Sequence, residues 1–575
     1  MPWVRRFAAL ALLLFPAAGG AWAATVKEDV GYAKLAAELG AALPTGAGVH
    51  VAMAEANTDP NLTGGIPTDG GYDYIPVASN PQFAGKLFHN LSASSAKADN
   101  SAHATLVADY FYGLDDSLAP GIVNVDLYFA DTWQGVDYLH GGELKTPEYT
   151  GARVFNHSWV DQTNAAALAR LDYTAYHYGV LHVAGVNNVN NGGPQPLLAS
   201  SYNAITVGLT SGAHESGNAA PNPSPGLGLY SGNAFTRTRP DLVAPRSFTS
   251  YATPLVSSAA ALLVDFGHSH AELSHGSQVL AEDPSYTIQN AETTEVVRSA
   301  LMAGANRGVW SDYRSAMFSG ANGLDSRFGA GQLDVYQSYH ILAGGEHERR
   351  ESGDLADIGN YGFDYQSTFA AIDSSTYDFS VGADSLENLA VSLVWNAHVD
   401  IDVSGAAASY AASLADFNLA LYRVSDAGRT LVQASLSTQD NTENLWLSNL
   451  SPGNYELEVV RTDGLGDWAY GLSWRRSAVG LSADFDGDGL VGLSDFGILK
   501  DHFGLAGGRT AGDADGNGRI DLSDFGILKS NFGKTFEPTP TSPSAPQAAV
   551  PEPSTWLLAC LGGAGALLAL RRGRR

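Results

Sequence analysis

The octapeptide Leu493-Ser494-Asp495-Phe496-Gly497-Ile498-Leu499-Lys500 recurs unchanged as Leu522 to Lys529, and each copy closes an acidic loop. Asp484, Asp486, Asp488 and Asp495 take positions 1, 3, 5 and 12 of the first loop, with Gly489 at position 6. Asp513, Asp515, Asn517 and Asp524 repeat the pattern around Gly518. This spacing turns alternate side chains inward about a tight bend, as a hard cation with about six to eight oxygen ligands requires. The carbonyls of Leu490 and Arg519 fill position 7. Asp521 assists at position 9, where the first copy has Gly492 and uses water. The repeat therefore predicts two calcium ions within residues 482–534.

Each half-site is a loop plus one helix, with no entering helix and with Asp rather than Glu at position 12. That arrangement resembles dockerin type I modules. The resemblance implies a docking partner of the cohesin kind. Phe496, Leu499 and Phe503, with Phe525, Leu528 and Phe532, form an apolar stripe divided between core and docking face.

Both ends carry addresses. Arg5 and Arg6 precede an apolar run from Phe7 to Ala18, and Ala21-Trp22-Ala23 forms a small-x-small site, so residues 1–23 read as a signal peptide. At the far end, Val550-Pro551-Glu552-Pro553-Ser554 leads into an apolar run from Trp556 to Leu570 and a terminal arginine cluster. This run is barely long enough to span a bilayer, and the arginines orient it toward the cytoplasm. Residues 550–575 resemble the PEP-CTERM sorting signal, which implies processing by a membrane transpeptidase, exosortase; a permanent single-span anchor is the alternative. The expected location is exported, at the cell surface or outside it. Residues 535–549 form a Pro/Ser/Thr linker.

With 575 residues the chain exceeds one core. A net charge of −28 excludes nucleic acid as a partner. The single cysteine, Cys560, lies in the tail, so the exported part has no disulfide and depends on its cores and on metal.

From Ala24 to about Gly345, β-type runs alternate with helical patterns, predicting a parallel α/β sheet. The runs include Val49–Met53, Arg153–Phe155, Val180–Ala184 and Ala204–Val207, with helices over Asn164–Tyr176 and Thr293–Ala305. Residues 346–478 change to period-two alternation. Strands are expected at Tyr377–Val381, Leu389–Trp395, Phe417–Tyr422, Asn444–Leu447, Tyr455–Val460 and Trp468–Trp474, as in an antiparallel β-sandwich.

Three segments of residues 24–345 resemble subtilisin-like serine peptidases. Asp241-Leu242-Val243-Ala244-Pro245 followed by Thr249-Ser250-Tyr251-Ala252-Thr253-Pro254 is similar to the nucleophile region. His103-Ala104-Thr105-Leu106-Val107-Ala108 matches the histidine motif, and Gly46-Ala47-Gly48-Val49-His50-Val51-Ala52-Met53-Ala54-Glu55 the strand that ends in the family's aspartate. The resemblance implies that Ser250 attacks, His103 shuttles the proton and Glu55 orients the imidazole, with Asp59 as the alternative carboxylate. Val183-Ala184-Gly185-Val186-Asn187 is similar to the segment with the oxyanion asparagine, which assigns Asn187, Asn188 being its neighbour.

The sequence departs from the family at Glu55, at Phe248 (where glycine is usual), at Leu255 (histidine) and at Ser258 (glycine). It also leaves no room for the usual folding propeptide. The fold class expected is multidomain: an α/β subtilisin-like domain, a β-sandwich and a small α-helical calcium module. The function expected is a serine endopeptidase acting on polypeptides, and the alternative is a silent scaffold or adhesion protein of the same fold.

Overall fold

The computed structural model describes residues 26–57, 72–92, 98–160, 165–188, 198–216, 228–230, 237–349 and 357–536. The signal peptide, Asp59, most of the linker and the sorting tail lie outside the described residues. Among the described residues no helix is long and apolar enough to cross a membrane.

After α1 (Tyr32–Leu39), the front domain is built on seven parallel strands. These are β1 (Val51–Glu55), β2 (Leu87–Asn90), β3 (Asn124–Phe129), β4 (Val154–His157), β5 (Leu181–Gly185), β6 (Ile205–Leu209) and β7 (Leu242–Ala244). Their order across the sheet is β2-β3-β1-β4-β5-β6-β7. Strands β1, β4, β5, β6 and β7 are buried along their whole length. Near-continuous apolar runs, rather than alternation, are what a sheet covered on both faces demands.

Helices α2 (Ala102–Tyr112), α3 (Ala165–Tyr178), α4 (Thr249–Ser269), α5 (Thr294–Gly304) and α6 (Val335–Ala343) complete the domain. The longest is α4, with 21 residues; Leu255, Val256, Ala259, Ala260 and Leu262 are fully buried in the main core. Pro254 lies near its start, where the missing N–H leaves only the Ser250 carbonyl without its helical donor.

Behind this domain two four-stranded antiparallel sheets face each other. Their strands are β8 (Tyr361–Phe369), β9 (Ser374–Val381), β10 (Leu386–Val394), β11 (Phe417–Ser425), β12 (Gly428–Ser435), β13 (Thr442–Leu450), β14 (Gly453–Arg461) and β15 (Trp468–Gly480). One sheet runs β8-β15-β10-β13 and the other β9-β14-β11-β12. Trp395, Phe417, Leu421, Tyr470 and Trp474 fill the space between them. Each of the six expected strands overlaps an observed one, and β8 and β12 are additional.

The sandwich is fixed to the front domain through α5 and the segment before β6. Ser299 Oγ and Ser473 Oγ are 2.7 Å apart, Arg475 Nε donates to the Ala303 carbonyl at 3.1 Å, and Asn441 Nδ2 donates to the Tyr202 carbonyl at 2.7 Å.

The repeat folds as two short helices, α7 (Leu493–His502) and α8 (Leu522–Asn531), each behind its acidic loop. The loops swap tails. Val491 of the first exchanges backbone hydrogen bonds with Gly533 and Lys534 beyond α8, and Ile520 of the second does so with Gly504 and Leu505 beyond α7. A core of seven buried side chains, among them Phe485, Val491, Leu499, Ile520 and Leu528, closes around them.

Candidate active site and acidic loops

The candidate catalytic residues gather at the carboxyl ends of the parallel strands, where open α/β sheets place their sites. Glu55 is the last residue of β1, two positions beyond the expected end of that strand. His103 stands in the first turn of α2, whose start is fixed by Ser101: its Oγ accepts from the Ala104 amide at 3.1 Å. Thr105 Oγ1 anchors the same turn, donating to the Ser101 carbonyl and accepting from the Val77 amide. Ser250 is half-buried in the first turn of α4.

The structure brings two of the three into contact. His103 Nδ1 lies 2.7 Å from Glu55 Oε2, with Glu55 only 1% exposed. The other oxygen, Oε1, is buried without a hydrogen-bond partner among the described residues. Burial pushes the Glu55 carboxyl up, against the hydrogen bond and charge of His103. Burial works against the His103 imidazolium as well, but the Glu55 hydrogen bond and charge outweigh it and leave His103 above its ordinary value. That bond fixes which ring nitrogen carries the proton and leaves Nε2 for the nucleophile. Ser250 Oγ makes no hydrogen bond among the described residues. Loose nucleophile–base geometry is usual without substrate.

The two asparagines after β5 separate. The Asn187 backbone carbonyl accepts from the Glu215 amide at 2.9 Å. Asn188 Oδ1 instead accepts from the Thr249 amide at 2.6 Å and from Thr249 Oγ1 at 3.0 Å, immediately before Ser250. With its carbonyl end held there, the Asn188 side chain is tied to the nucleophile's helix and its amide end is left as a donor.

His157 of β4 and His182 of β5 pair at 3.0 Å in the core. Burial holds the pKa of His157 well below the ordinary value and takes His182 down to about 3. Both are fully buried, out of reach of a substrate, and offer no competing base.

Composition alone gave no hint of the aromatic row beside the site. Phe248 and Tyr251 meet edge to face at 5.7 Å, Tyr251 and Tyr110 at 5.7 Å, and the Tyr251 ring lies 5.8 Å from that of His103. The signal available in the sequence was Phe248, standing where the family has glycine.

In the repeat, carboxylate oxygens of Asp484, Asp486 and Asp488 come within 4.8 Å of one another, as do those of Asp513, Asp515 and Asp524. Three converging carboxylates fit a hard cation. The remaining candidates are engaged elsewhere or bring no charge. Asp495 accepts from the Phe485 amide at 2.6 Å and the Gly492 amide at 2.7 Å. Asp521 caps α8 through the Ser523 amide at 2.8 Å. Asn517 is neutral, and Leu490 and Arg519 offer carbonyls. Leu499 and Leu528 are buried, whereas Phe496, Phe503, Phe525 and Phe532 are exposed.

A parallel seven-stranded sheet thus carries a carboxylate–histidine pair near its strand ends, with a serine in the first turn of α4. Residues 72–331 match the family model described as Subtilase family, and residues 549–575 match the PEP-CTERM protein-sorting motif. The subtilase match includes His103, Asn187, Asn188 and Ser250 and begins beyond Glu55. The front domain thus has the subtilase-family fold.

Among solved structures, a cold adapted subtilisin-like serine proteinase is 16% identical over 51% of this chain and 90% of its own, with a TM-score of 0.30. Fervidolysin from Fervidobacterium pennivorans, a keratinolytic enzyme related to subtilisin, is 12% identical over 71% and 67%, with a TM-score of 0.32. The pre-peptidase C-terminal domain of a Bacillus anthracis collagenase is 20% identical, covering 22% of this chain and 100% of its own, with a TM-score of 0.16. The fold assignment rests on the family model and the sheet, not on these overlaps. No curated protein matches the chain.

Proposed function

We propose that this is an exported serine endopeptidase. Ser250 attacks the scissile carbonyl, and His103 Nε2 takes its proton and passes it to the leaving amine. Glu55 holds the imidazole and balances the imidazolium. Asn188 supplies the oxyanion donor in preference to Asn187, because its amide group is the one tethered at Thr249. The observation that carries the reading is the 2.7 Å Glu55–His103 contact at the strand ends, with Ser250 in the matched subtilase segment.

Two calcium ions in the repeat complete the proposal. The first is held by Asp484, Asp486, Asp488 and the Leu490 carbonyl, with Asp495 turning toward it. The second is held by Asp513, Asp515, Asn517, Asp524 and the Arg519 carbonyl, with Asp521 behind them. Each ion supplies the positive charge that these loops lack. The exposed phenylalanines of α7 and α8 support a dockerin-like surface for a cohesin-like protein. The sorting motif supports export followed by exosortase processing of the tail.

The test is covalent labelling by a fluorophosphonate of the calcium-loaded protein beside a Ser250→Ala control. Labelling lost in the control establishes the nucleophile. An unlabelled, folded protein returns the chain to a silent scaffold.

A further inference from the structure

The mechanism leaves unused the aromatic row that flanks the nucleophile. Phe248, the residue before Thr249 and Ser250, keeps 51% of its surface exposed. A large apolar side chain so placed beside a polar site has solvent, not core, as its neighbour. Its ring meets Tyr251 at 5.7 Å and 89°, and Tyr251 meets Tyr110 at 5.7 Å and 69°. The Arg246 guanidinium lies 3.9 Å from the Tyr110 ring centre and backs the far end of the row. The four residues form one ledge, each member braced by the next.

The ledge has a definite side. Tyr251 packs near His103, with ring centres 5.8 Å apart, whereas the tethered Asn188 meets the chain at Thr249. His103 delivers its proton to the leaving amine, so the part of the substrate that departs lies on the His103 side of Ser250. The residue that follows the scissile bond is therefore the one that meets Tyr251 and Phe248. Edge-to-face and offset contacts with two rings favour an aromatic side chain there, and the apolar surface favours a large aliphatic one next.

We propose that Phe248 and Tyr251 form a subsite that selects peptides with an aromatic or other large apolar residue immediately after the scissile bond. This rests on Ser250 being the nucleophile.

The test exploits partitioning of the acyl-enzyme. An ester substrate with a fixed acyl group loads Ser250, and amino-acid amides then compete with water. The amine nitrogen forms the new C–N bond as the Ser250 Oγ–acyl bond breaks, while His103 takes the amine proton and returns it to Oγ. Phenylalanine amide is expected to capture the acyl group about 10-fold better than alanine amide, the order of discrimination an apolar pocket supplies. In Phe248→Gly that ratio should fall to near 1, and Phe248→Leu should retain part of it. The ratio is internal to each variant, so a change in overall activity leaves it readable. Ester turnover with equal capture of both amides overturns the ledge and leaves the nucleophile standing. No turnover and no fluorophosphonate labelling overturn both.

Discussion

The front site and the acidic loops both rest on carboxylates at least partly withdrawn from water, yet the two solve the problem differently. Glu55 has its hydrogen-bond partner built into the fold, since His103 sits 2.7 Å away on the next helix. In the loops, Asp495 and Asp524 are fully buried but satisfied only by backbone amides, and six carboxylates gather in two groups of three with no cationic side chain among them. An unpaired buried charge is expensive. The front domain can meet that cost from its own residues. The repeat has no such partner among its described side chains, and on the proposed reading an ion takes that place, because its core of seven buried side chains is too small to hold the carboxylates together by apolar burial.

The largest expected effect therefore comes from removing calcium. Chelation should abolish a separate melting transition of the repeat while the front domain keeps its own. At calcium about 100-fold above each dissociation constant, a site adds about 2.7 kcal/mol to folding, and two such sites are proposed for the repeat. Calorimetry with and without chelator reads both transitions. A front transition that falls in parallel would break the contrast, because it would show that the sandwich transmits the loss forward.

Next in size is the front pair itself. Glu55→Gln keeps the shape but removes the charge that raises the His103 pKa. A base must be neutral to accept a proton, so the acid limb of kcat/KM should lie above the ordinary histidine range in the parent. In the variant it should move down, because the imidazolium has lost its stabilising charge. The amplitude should drop by about 10³ to 10⁴-fold, as when a triad carboxylate is neutralised. An unmoved acid limb would mean that Glu55 does not set the charge of His103.

What the sequence disclosed follows the same division. Buried parallel strands and the long helix α4 were readable because their patterns are local: unbroken apolar runs, and a serine opening an apolar helix. The sandwich strands were readable where one face is core. Edge strand β12 was not, since its first five residues are exposed and carry no alternation. The site was legible by residue type but not by orientation. Asn187 and Asn188 are neighbours just beyond a strand end, and which side chain meets Thr249 depends on where β5 stops, which no pattern in the segment specifies. The orphan Glu55 Oε1 was likewise hidden, because it follows from how the longer side chain sits and not from its identity.

The identical octapeptides conceal a further difference, and it sets the next effect. Gly516 of the second loop, at φ +67°, faces the sandwich so closely that a Cβ would stand 2.5 Å from Ser451 Cβ and 2.8 Å from Arg423 Nη1. Gly487, its counterpart in the first loop, has φ +78° and nothing within 4 Å. Alanine costs about 1 kcal/mol at either position from left-handed backbone alone. At Gly516, overpacking against Ser451 should add roughly 1–3 kcal/mol. Urea midpoints of the repeat transition should therefore fall further for Gly516→Ala than for Gly487→Ala, and equal falls would mean the two loops share one environment.

The smallest effect isolates the same interface. Arg423 on β11 donates to the carbonyls of Asp515 and Gly516, and to that of Pro452 at 2.7 Å, so one guanidinium ties the second loop to the sandwich. It uses the carbonyls at loop positions 3 and 4, which leaves the Arg519 carbonyl at position 7 for the ion. Arg423→Gln removes this tie without touching a calcium ligand. Hydrogen bonds from a charged donor contribute about 1.5–3 kcal/mol when fully buried, and Arg423 is only partly so, which lowers the expectation to about 1 kcal/mol. Part of that loss should appear as weaker calcium binding at one of the two sites, about twofold, since the loop is held in its binding shape by the sandwich. Calorimetric titration resolves the two sites. If both weaken equally, the clamp acts on the repeat as a whole; if neither does, the loop's shape is set within the repeat and the sandwich contributes only attachment.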